Sequence, residues 1–374
     1  GALGLEIAKW LAKQGAQHVV LTGRQGASPT AQAAIDQLQE AGTQVHVITA
    51  DVSKAEDVER TLKEIEPYPA LRGVIHAAGV IDDGLLVSQS CDRILKVMEP
   101  KVNGAWHLHK LTQNHPLDFM VFFSSVAALL GAQGQSNYAA ANAFMDALAH
   151  YRQSLGLPGL SLSWGPWAEV GMAASMGERE RARLSSQGIS SIPVEQGLQA
   201  LEQMIAESRN HVGVLPVNWS TFIQRFSGEA YTSLLSELAS PVSAEANAEG
   251  TDSIQIDELL QQLKTASEED SLSLLLKYLQ IQSAEVLGLP ASRRPKPKDS
   301  LNRLGLDSLM GVELRTRLQS QLQIDVAMEQ LIGGSTLQEL TEELLDKLRV
   351  ANILLPASDP SEELEEEEME EFFI

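Results

Sequence analysis

The chain has 374 residues, 44 % of them hydrophobic, and a formal net charge of −22; the length suggests two or three domains and the composition allows a sizeable core. The acidic excess argues against a nucleic-acid binder, which needs a basic surface, and against docking on an anionic membrane. A single cysteine, Cys91, excludes an internal disulfide and a cysteine-based zinc site, and with no apolar run of about 18 residues and no signal peptide a cytoplasmic protein is expected.

The chain opens on Gly1-Ala2-Leu3-Gly4 and runs straight into an amphipathic pattern of Leu5, Ile7, Ala8, Trp10 and Leu11. A strand ordinarily precedes such a glycine turn, so the expectation is a piece cut inside a motif. Gly1 and Gly4 have the spacing of the last two glycines of a G-x-G-x-x-G turn, which lets a backbone approach a pyrophosphate at a helix N-terminus. Strand candidates follow at residues 18–22, 45–50, 73–76, 119–123 and 160–164, separated by helix-length segments. This alternation predicts an α/β, doubly wound, parallel Rossmann-like sheet whose first strand is missing. Nucleotides lie across the carboxyl ends of such strands. Arg24, after Leu21-Thr22-Gly23, suits the 2′-phosphate of NADPH; the plain alternative is a solvated loop arginine. Asp51-Val52 stands where an acidic side chain could meet adenine. His76-Ala77-Ala78-Gly79 ends the next strand with small residues that let a cofactor lie close.

The densest signal is Phe122-Phe123-Ser124-Ser125, then Asn137-Tyr138-Ala139-Ala140-Ala141-Asn142. Tyr138 opens an Ala-rich helix predicted over residues 138–155, and Asn142 sits one turn on, sharing its face. Lys101 lies upstream in Glu99-Pro100-Lys101-Val102-Asn103. Hydride delivery to a ketone puts negative charge on oxygen, so it needs a proton donor and a group that holds the carbonyl. Tyr138 suits the acid and Ser125 the carbonyl donor, with Lys101 lowering the phenol's pKa and binding ribose. Asn142 would hold Lys101 or a relay water. Each residue alone has a bland reading, as a core tyrosine, a turn serine, a surface lysine and a helix asparagine. Their joint spacing behind a nucleotide fold favours the catalytic one.

A Trp164-Gly165-Pro166-Trp167 loop, a helix over residues 193–207 and a strand over 211–217 complete the α/β pattern. Residues 240–253 are rich in Ser, Ala, Glu and Pro and read as a linker. From Ile256 to about Leu348 leucines recur at helical spacing without a strand pattern, which predicts a small all-α helix bundle. Residues 361–374 are nearly all Glu, closed by Phe372-Phe373-Ile374, a composition usual for disordered segments.

The Ser125, Tyr138 and Asn142 pattern resembles the short-chain dehydrogenase/reductase superfamily. Ordinary members carry lysine four positions after the tyrosine; here that position is Asn142 and the lysine is Lys101. That exchange resembles the ketoreductase domains of polyketide and animal-type fatty acid synthases. Val74-Ile75-His76-Ala77-Ala78-Gly79-Val80, Gln135 to Phe144 and the Trp164 to Trp167 loop are similar to the same family, over about residues 1–235. In that family an N-terminal structural half and the first strand precede the position of Gly1. The resemblance implies NADPH-dependent reduction of a β-ketoacyl thioester. Members with Leu-Asp-Asp ahead of the site tend to give the D-alcohol, and those of the opposite type carry Trp eight residues before the tyrosine. Ile81-Asp82-Asp83 and Leu130 therefore favour the D-alcohol, with Asp83 a stereocontrol candidate; the alternative is that Asp82 and Asp83 cap the next helix.

Leu304-Gly305-Leu306-Asp307-Ser308-Leu309-Met310 resembles the attachment motif of acyl carrier proteins, which implies covalent phosphopantetheine on Ser308. A serine at a helix start, after a glycine turn, would place its phosphodiester at the positive end of the helix dipole; the plain alternative is an Asp-Ser cap opening any helix. The implied organisation is a partial ketoreductase over 1–235, a linker over 236–255, a carrier over 256–350 and an acidic tail over 351–374. Its implied partners are the other domains of a modular type I synthase, a phosphopantetheinyl transferase and, through the tail, the next synthase subunit. Three readings stand: an active reductase with its carrier; a carrier and docking piece whose reductase half is inert without its first strand; and a stand-alone dehydrogenase of the same superfamily, which Ser308 and Asn142 disfavour.

Overall fold

The computed structural model describes residues 1–171, 177–207, 209–219, 221–222, 235, 256–289 and 291–350. The chain divides into two units, Gly1–Asn247 and Ala248–Ile374. The expected linker and acidic tail both lie outside the described residues.

The first unit alternates helices and strands. Its elements are α1 (Ala2–Lys13), β1 (His18–Gly23), α2 (Pro29–Glu40), β2 (Gln44–Thr49), α3 (Ala55–Ile65), β3 (Gly73–His76), α4 (Cys91–Met98), α5 (Gly104–Leu111), β4 (Phe119–Ser125), α6 (Ala127–Leu130), α7 (Ser136–Ser154), β5 (Leu160–Trp164), α8 (Glu178–Ser186), α9 (Val194–Ala206) and β6 (His211–Val214). Strands β3, β4, β5 and β6 form one parallel sheet in that order, and β1 and β2 form a separate parallel pair. All five residues of β5 are buried, as expected for a parallel strand covered on both faces. This is the doubly wound Rossmann-like architecture, with its strands in two groups. Helix α1 serves both: Ile7 packs with Val121, Phe123 and Leu162, while Ala8 packs with Val19, Ile35 and Val45.

Two boundaries differ from the sequence pattern for local reasons. Helix α7 starts at Ser136, which puts Tyr138 inside its first turn. Strand β6 stops at Val214 because Pro216 lacks the N–H that a ladder needs; Val217 keeps only an isolated bridge to Ile189. Tyr138, Ala141, Asn142, Met145, Leu148, Ala149 and Arg152 form the buried stripe of α7, and alanine in that stripe allows close approach to the sheet.

The described part of the second unit is helical: α10 (Ile256–Thr265), α11 (Glu268–Val286), α12 (Ser308–Leu322), α13 (Met328–Ile332) and α14 (Leu337–Val350), with a short 3-10 turn at Ala291–Arg293. Its core collects Leu259, Leu275, Leu279, Leu314, Leu318, Leu340 and Leu344. Truncating one such leucine to alanine costs about 2–5 kcal/mol, a large share of the stability of so small a bundle. Among the described residues no helix is long and apolar enough to cross a membrane.

Candidate active site

The carboxyl ends of β3 and β4 and the start of α7 bring the predicted set together. Ser125 is the last residue of β4, and Tyr138 is buried with Val97, Ala127 and Ala141 around it. Asn142, one turn along α7, is fully buried and donates its amide N–H to the Tyr138 carbonyl at 2.8 Å. That bond fixes the amide's orientation and leaves Asn142 Oδ1 buried without a partner. Burial pushes the Tyr138 phenol up; hydrogen bonds with the Asn142 and Ser125 side chains pull it down, and the Asp83 charge adds to the rise. The net direction is upward, opposite to the lowering expected from Lys101.

Lys101 arrives from a π-helical turn, Glu99–Asn103, between α4 and α5. It is 2 % exposed. Its Nζ donates to the Phe123 carbonyl at 3.0 Å and lies 5.2 Å from the centre of the Tyr138 ring. Burial lowers its pKa to about 7, against the opposing charge of Asp146. An amine titrating there is a weaker source of positive charge than an exposed lysine, which accounts for its failure to lower the phenol. Asn142 and Lys101 are not hydrogen-bonded to one another: the amide nitrogen donates to the Tyr138 carbonyl and Lys101 Nζ to the Phe123 carbonyl, and Asn142 Oδ1 stays available for the other expected role, holding a relay water. Gly79 makes room for the lysine: a Cβ there would stand 2.9 Å from Lys101 Cε. His76, at the end of β3, is uncharged at neutral pH; burial first, then the Lys101 charge, lower it to about 3, opposed by a hydrogen bond to the Pro100 carbonyl.

A buried polar ladder lies behind α7, beyond the residues that the sequence singles out. Ser161 Oγ donates to Asp146 at 2.6 Å, Ser163 Oγ and His211 Nε2 are 2.9 Å apart, and Ser163 Oγ donates to Ser124 Oγ at 3.4 Å. His211 Nε2 also lies 3.4 Å from Asp146. Asp146 is one turn beyond Asn142, and Ser161 and Ser163 alternate along β5, so the periodicities are a usable signal. What they cannot supply is the pairing of β5 with β6 that brings in His211.

The cofactor candidates spread around the same carboxyl ends. Gly1 caps α1 without a side-chain partner for the first-turn N–H groups, and Gly4 sits inside the helix. A Cβ on Gly1 or Gly4 would meet nothing within 4 Å. Leu3 lies close to Gly171, beyond the end of β5, which puts the start of α1 at the carboxyl side. Arg24 and Ala77 are exposed. Asp51 is less free than expected: its Oδ1 accepts from the Ser53 N–H at 3.1 Å and from Ser53 Oγ at 2.7 Å. The Ser53 hydroxyl is the main cause of its lowered pKa, to which the Arg24 charge contributes. Val52 packs against Gly104, where a Cβ would stand 2.9 Å from Val52 Cγ1. These residues fit a phosphorylated dinucleotide, with the first-turn N–H groups of α1 for phosphate, Arg24 for further negative charge and Asn142 Oδ1 as an orphaned acceptor. Asp83 accepts from Gln135 Nε2 at 2.8 Å, and the next helix is capped by Ser90, not by Asp82 or Asp83.

In the second unit Asp307 is the N-cap of α12 and accepts from the Met310 N–H at 2.8 Å. Gly305, at φ 97°, supplies a left-handed turn that a side chain would strain. Ser308 follows as the first helical residue and is exposed.

Comparison with known proteins agrees with both halves. Residues 1–169 match the KR domain family and residues 277–344 the phosphopantetheine attachment site family. A phenolphthiocerol/phthiocerol polyketide synthase polypeptide of Mycobacterium tuberculosis is 35 % identical over 99 % of this chain, which spans 16 % of that protein. Polyketide synthase GfsA of Streptomyces halstedii is 38 % identical over 86 % of this chain, which spans 4 % of it. Among solved structures, an A-type ketoreductase from a modular polyketide synthase is 39 % identical, with a TM-score of 0.58 over 61 % of this chain and 48 % of that one. A ketoreductase domain from the bacillaene assembly line is 36 % identical, with a TM-score of 0.57 over 60 % of this chain and 56 % of that one. An α/β unit closing on Tyr138, joined to a helical unit that presents Ser308, thus belongs to the NADPH-dependent ketoreductase and phosphopantetheine-binding regions of modular type I polyketide synthases.

Proposed function

We propose that this chain reduces the β-ketone of a carrier-bound acyl thioester to the β-hydroxyacyl thioester, with the acyl chain held on Ser308 through phosphopantetheine. The observation that carries the reading is the convergence of buried Tyr138, Asn142 and Lys101 with Ser125 at the end of β4. NADPH, when bound, supplies the hydride. Ser125 Oγ holds the ketone oxygen, and Tyr138 Oη gives it the proton as negative charge develops. The phenol is protonated at neutral pH; burial raises it and so weakens it as an acid, while the hydrogen bonds of Asn142 and Ser125 oppose that rise. Lys101, with a pKa near neutrality, is fit to return a proton to the phenol and to hold ribose. Asn142 Oδ1 accepts from the relay water that completes that path. Gly1 and Gly4, Arg24, Asp51, Val52, Ala77 and Gly79 line the nucleotide's course.

The Asp82-Asp83 turn and Leu130 favour the D-configured alcohol, and chiral separation of the product tests this. A phosphopantetheinyl transferase is the partner that loads Ser308, and other domains of the synthase supply the acyl chain. The acidic tail, residues 351–374, suits a docking segment for the next subunit.

Given NADPH and a small β-ketoacyl thioester, the chain is expected to oxidise NADPH one-for-one with alcohol formed. Given coenzyme A and a phosphopantetheinyl transferase, it gains one phosphopantetheine, which Ser308→Ala abolishes. A second reading, in which the carrier works and the reductase unit is inert, is distinguished by the same two assays. Phosphopantetheine uptake without NADPH oxidation would select it, and absence of both would sink the first.

A further inference from the structure

The turn that carries Asp83 is held from one side by a single guanidinium. Arg93, on α4, donates through Nε to Asp82 Oδ1 at 2.8 Å and through Nη1 to the Ser88 carbonyl at 3.2 Å. Its Nη2 reaches Asp82 Oδ1 at 2.6 Å and the Asp83 carbonyl at 2.5 Å. Lys96, one turn along α4, takes the other Asp82 oxygen at 2.9 Å. A Cβ on Gly84 would stand 2.7 Å from Arg93 Nη1, 2.8 Å from Nη2 and 3.1 Å from Cζ, so the Nη edge of the guanidinium abuts the turn in space that glycine leaves.

The other side of the turn is tied to the segment that carries Tyr138. Gly84 N–H donates to the Gly134 carbonyl at 2.8 Å, Gln135 Nε2 to Asp83 Oδ2 at 2.8 Å, and Asn137 Nδ2 to the Asp82 carbonyl at 2.9 Å. Val97, one turn from Arg93 on α4, is fully buried in the cluster with Tyr138 and Ala141. Helix α4 therefore grips both partners, the tyrosine's helix through Val97 and the turn through Arg93. A planar fork with fixed donors can hold one carboxylate and two carbonyls at once, which a lysine cannot.

We propose that Arg93 is a positioning residue that clamps the Asp82-Asp83-Gly84 turn against Tyr138 and so decides which face of the ketone is reduced. The proposal rests on the reductase reading for its catalytic consequence, and on geometry alone for the clamp. Without Arg93, the Asp83 carbonyl and Asp82 Oδ1 lose the guanidinium that joins them to α4, and the wall beside Tyr138 loosens while the proton donor stays in place.

The test uses the whole chain with Arg93→Gln, Arg93→Lys and Gly84→Ala. Gly84 is outside the left-handed region, so alanine is tolerated by the backbone and acts by displacing the guanidinium. Two measurements are made, amide hydrogen exchange across residues 82–89 and the ratio of the two enantiomeric alcohols formed from a β-ketoacyl thioester. All three variants are expected to raise exchange in that segment and to shift the ratio by about tenfold, the worth of one charge-assisted hydrogen bond. Turnover and the KM for NADPH stay within a few-fold of the parent. Unchanged exchange, or loss of turnover with an unchanged ratio, would overturn the clamp. If the unsubstituted chain fails to oxidise NADPH, the reductase reading falls, and the exchange measurement decides the clamp by itself.

Discussion

Replacing Lys101 with methionine should make the reductase unit more stable near neutral pH and less so as pH rises. Burial holds the folded pKa at about 7, against 10.5 for an ordinary lysine. Between those values the unfolded chain binds a proton that the folded chain does not, so parental stability climbs with pH through that window. The full cost applies below pH 7 and vanishes above the unfolded value. A drop of that size is worth roughly 5 kcal/mol. It amounts to about 4 kcal/mol at pH 7 and about 2 kcal/mol at pH 9. Methionine also leaves the Phe123 carbonyl without its donor, which costs about 1–3 kcal/mol at every pH. The net gain at pH 7 is therefore small, and the clean quantity is the change of about 2 kcal/mol in the variant-minus-parent difference between pH 7 and pH 9. Urea unfolding followed by tryptophan fluorescence reads the right unit, because all five tryptophans lie within Gly1–Asn247. A difference that stays constant with pH would show that Lys101 is charged when folded and refute the account of its burial.

Other substitutions give separate expectations. Tyr138→Phe removes the proton donor and should lower kcat by about 10²–10⁴ with the KM for NADPH little changed, measured by NADPH oxidation. Arg24→Glu should raise the KM for NADPH and not that for NADH, since it opposes only the extra phosphate. Gly197→Ala puts a Cβ 2.3 Å from the Trp167 ring, an overpacking worth about 1–3 kcal/mol in urea unfolding. Ser308→Ala should abolish phosphopantetheine uptake by mass spectrometry and leave helical circular dichroism intact, because Asp307 supplies the cap.

Much of the site was legible because it is written at short range. Tyr138 and Asn142 share a face by helix periodicity, Ser125 ends an apolar strand, and Asp307 and Gly305 prepare the start of α12. The strand alternation carried the doubly wound fold, and the leucine spacing carried the helical unit. These are consequences of backbone geometry, which the local pattern of side chains must obey.

Other features depend on which distant elements meet. Lys101 and Tyr138 come from separate elements, and only packing puts the amine over the ring and takes its proton affinity down. The upward shift of the phenol, opposite to the expectation, follows from burial that spacing cannot measure. Asp51 turned inward on Ser53, and His211 reached Asp146 and Ser163 only through the pairing of β6 with β5. Nothing in the local pattern marks Arg93, and its fork becomes a clamp because Gly84 leaves room for its Nη edge beside the turn. The sequence by itself determined the type of fold and most of the candidate reacting groups, because both rest on local periodicity. The tertiary structure decided their charge states and their supports, because desolvation and hydrogen-bond partnership are set by neighbours far away along the chain.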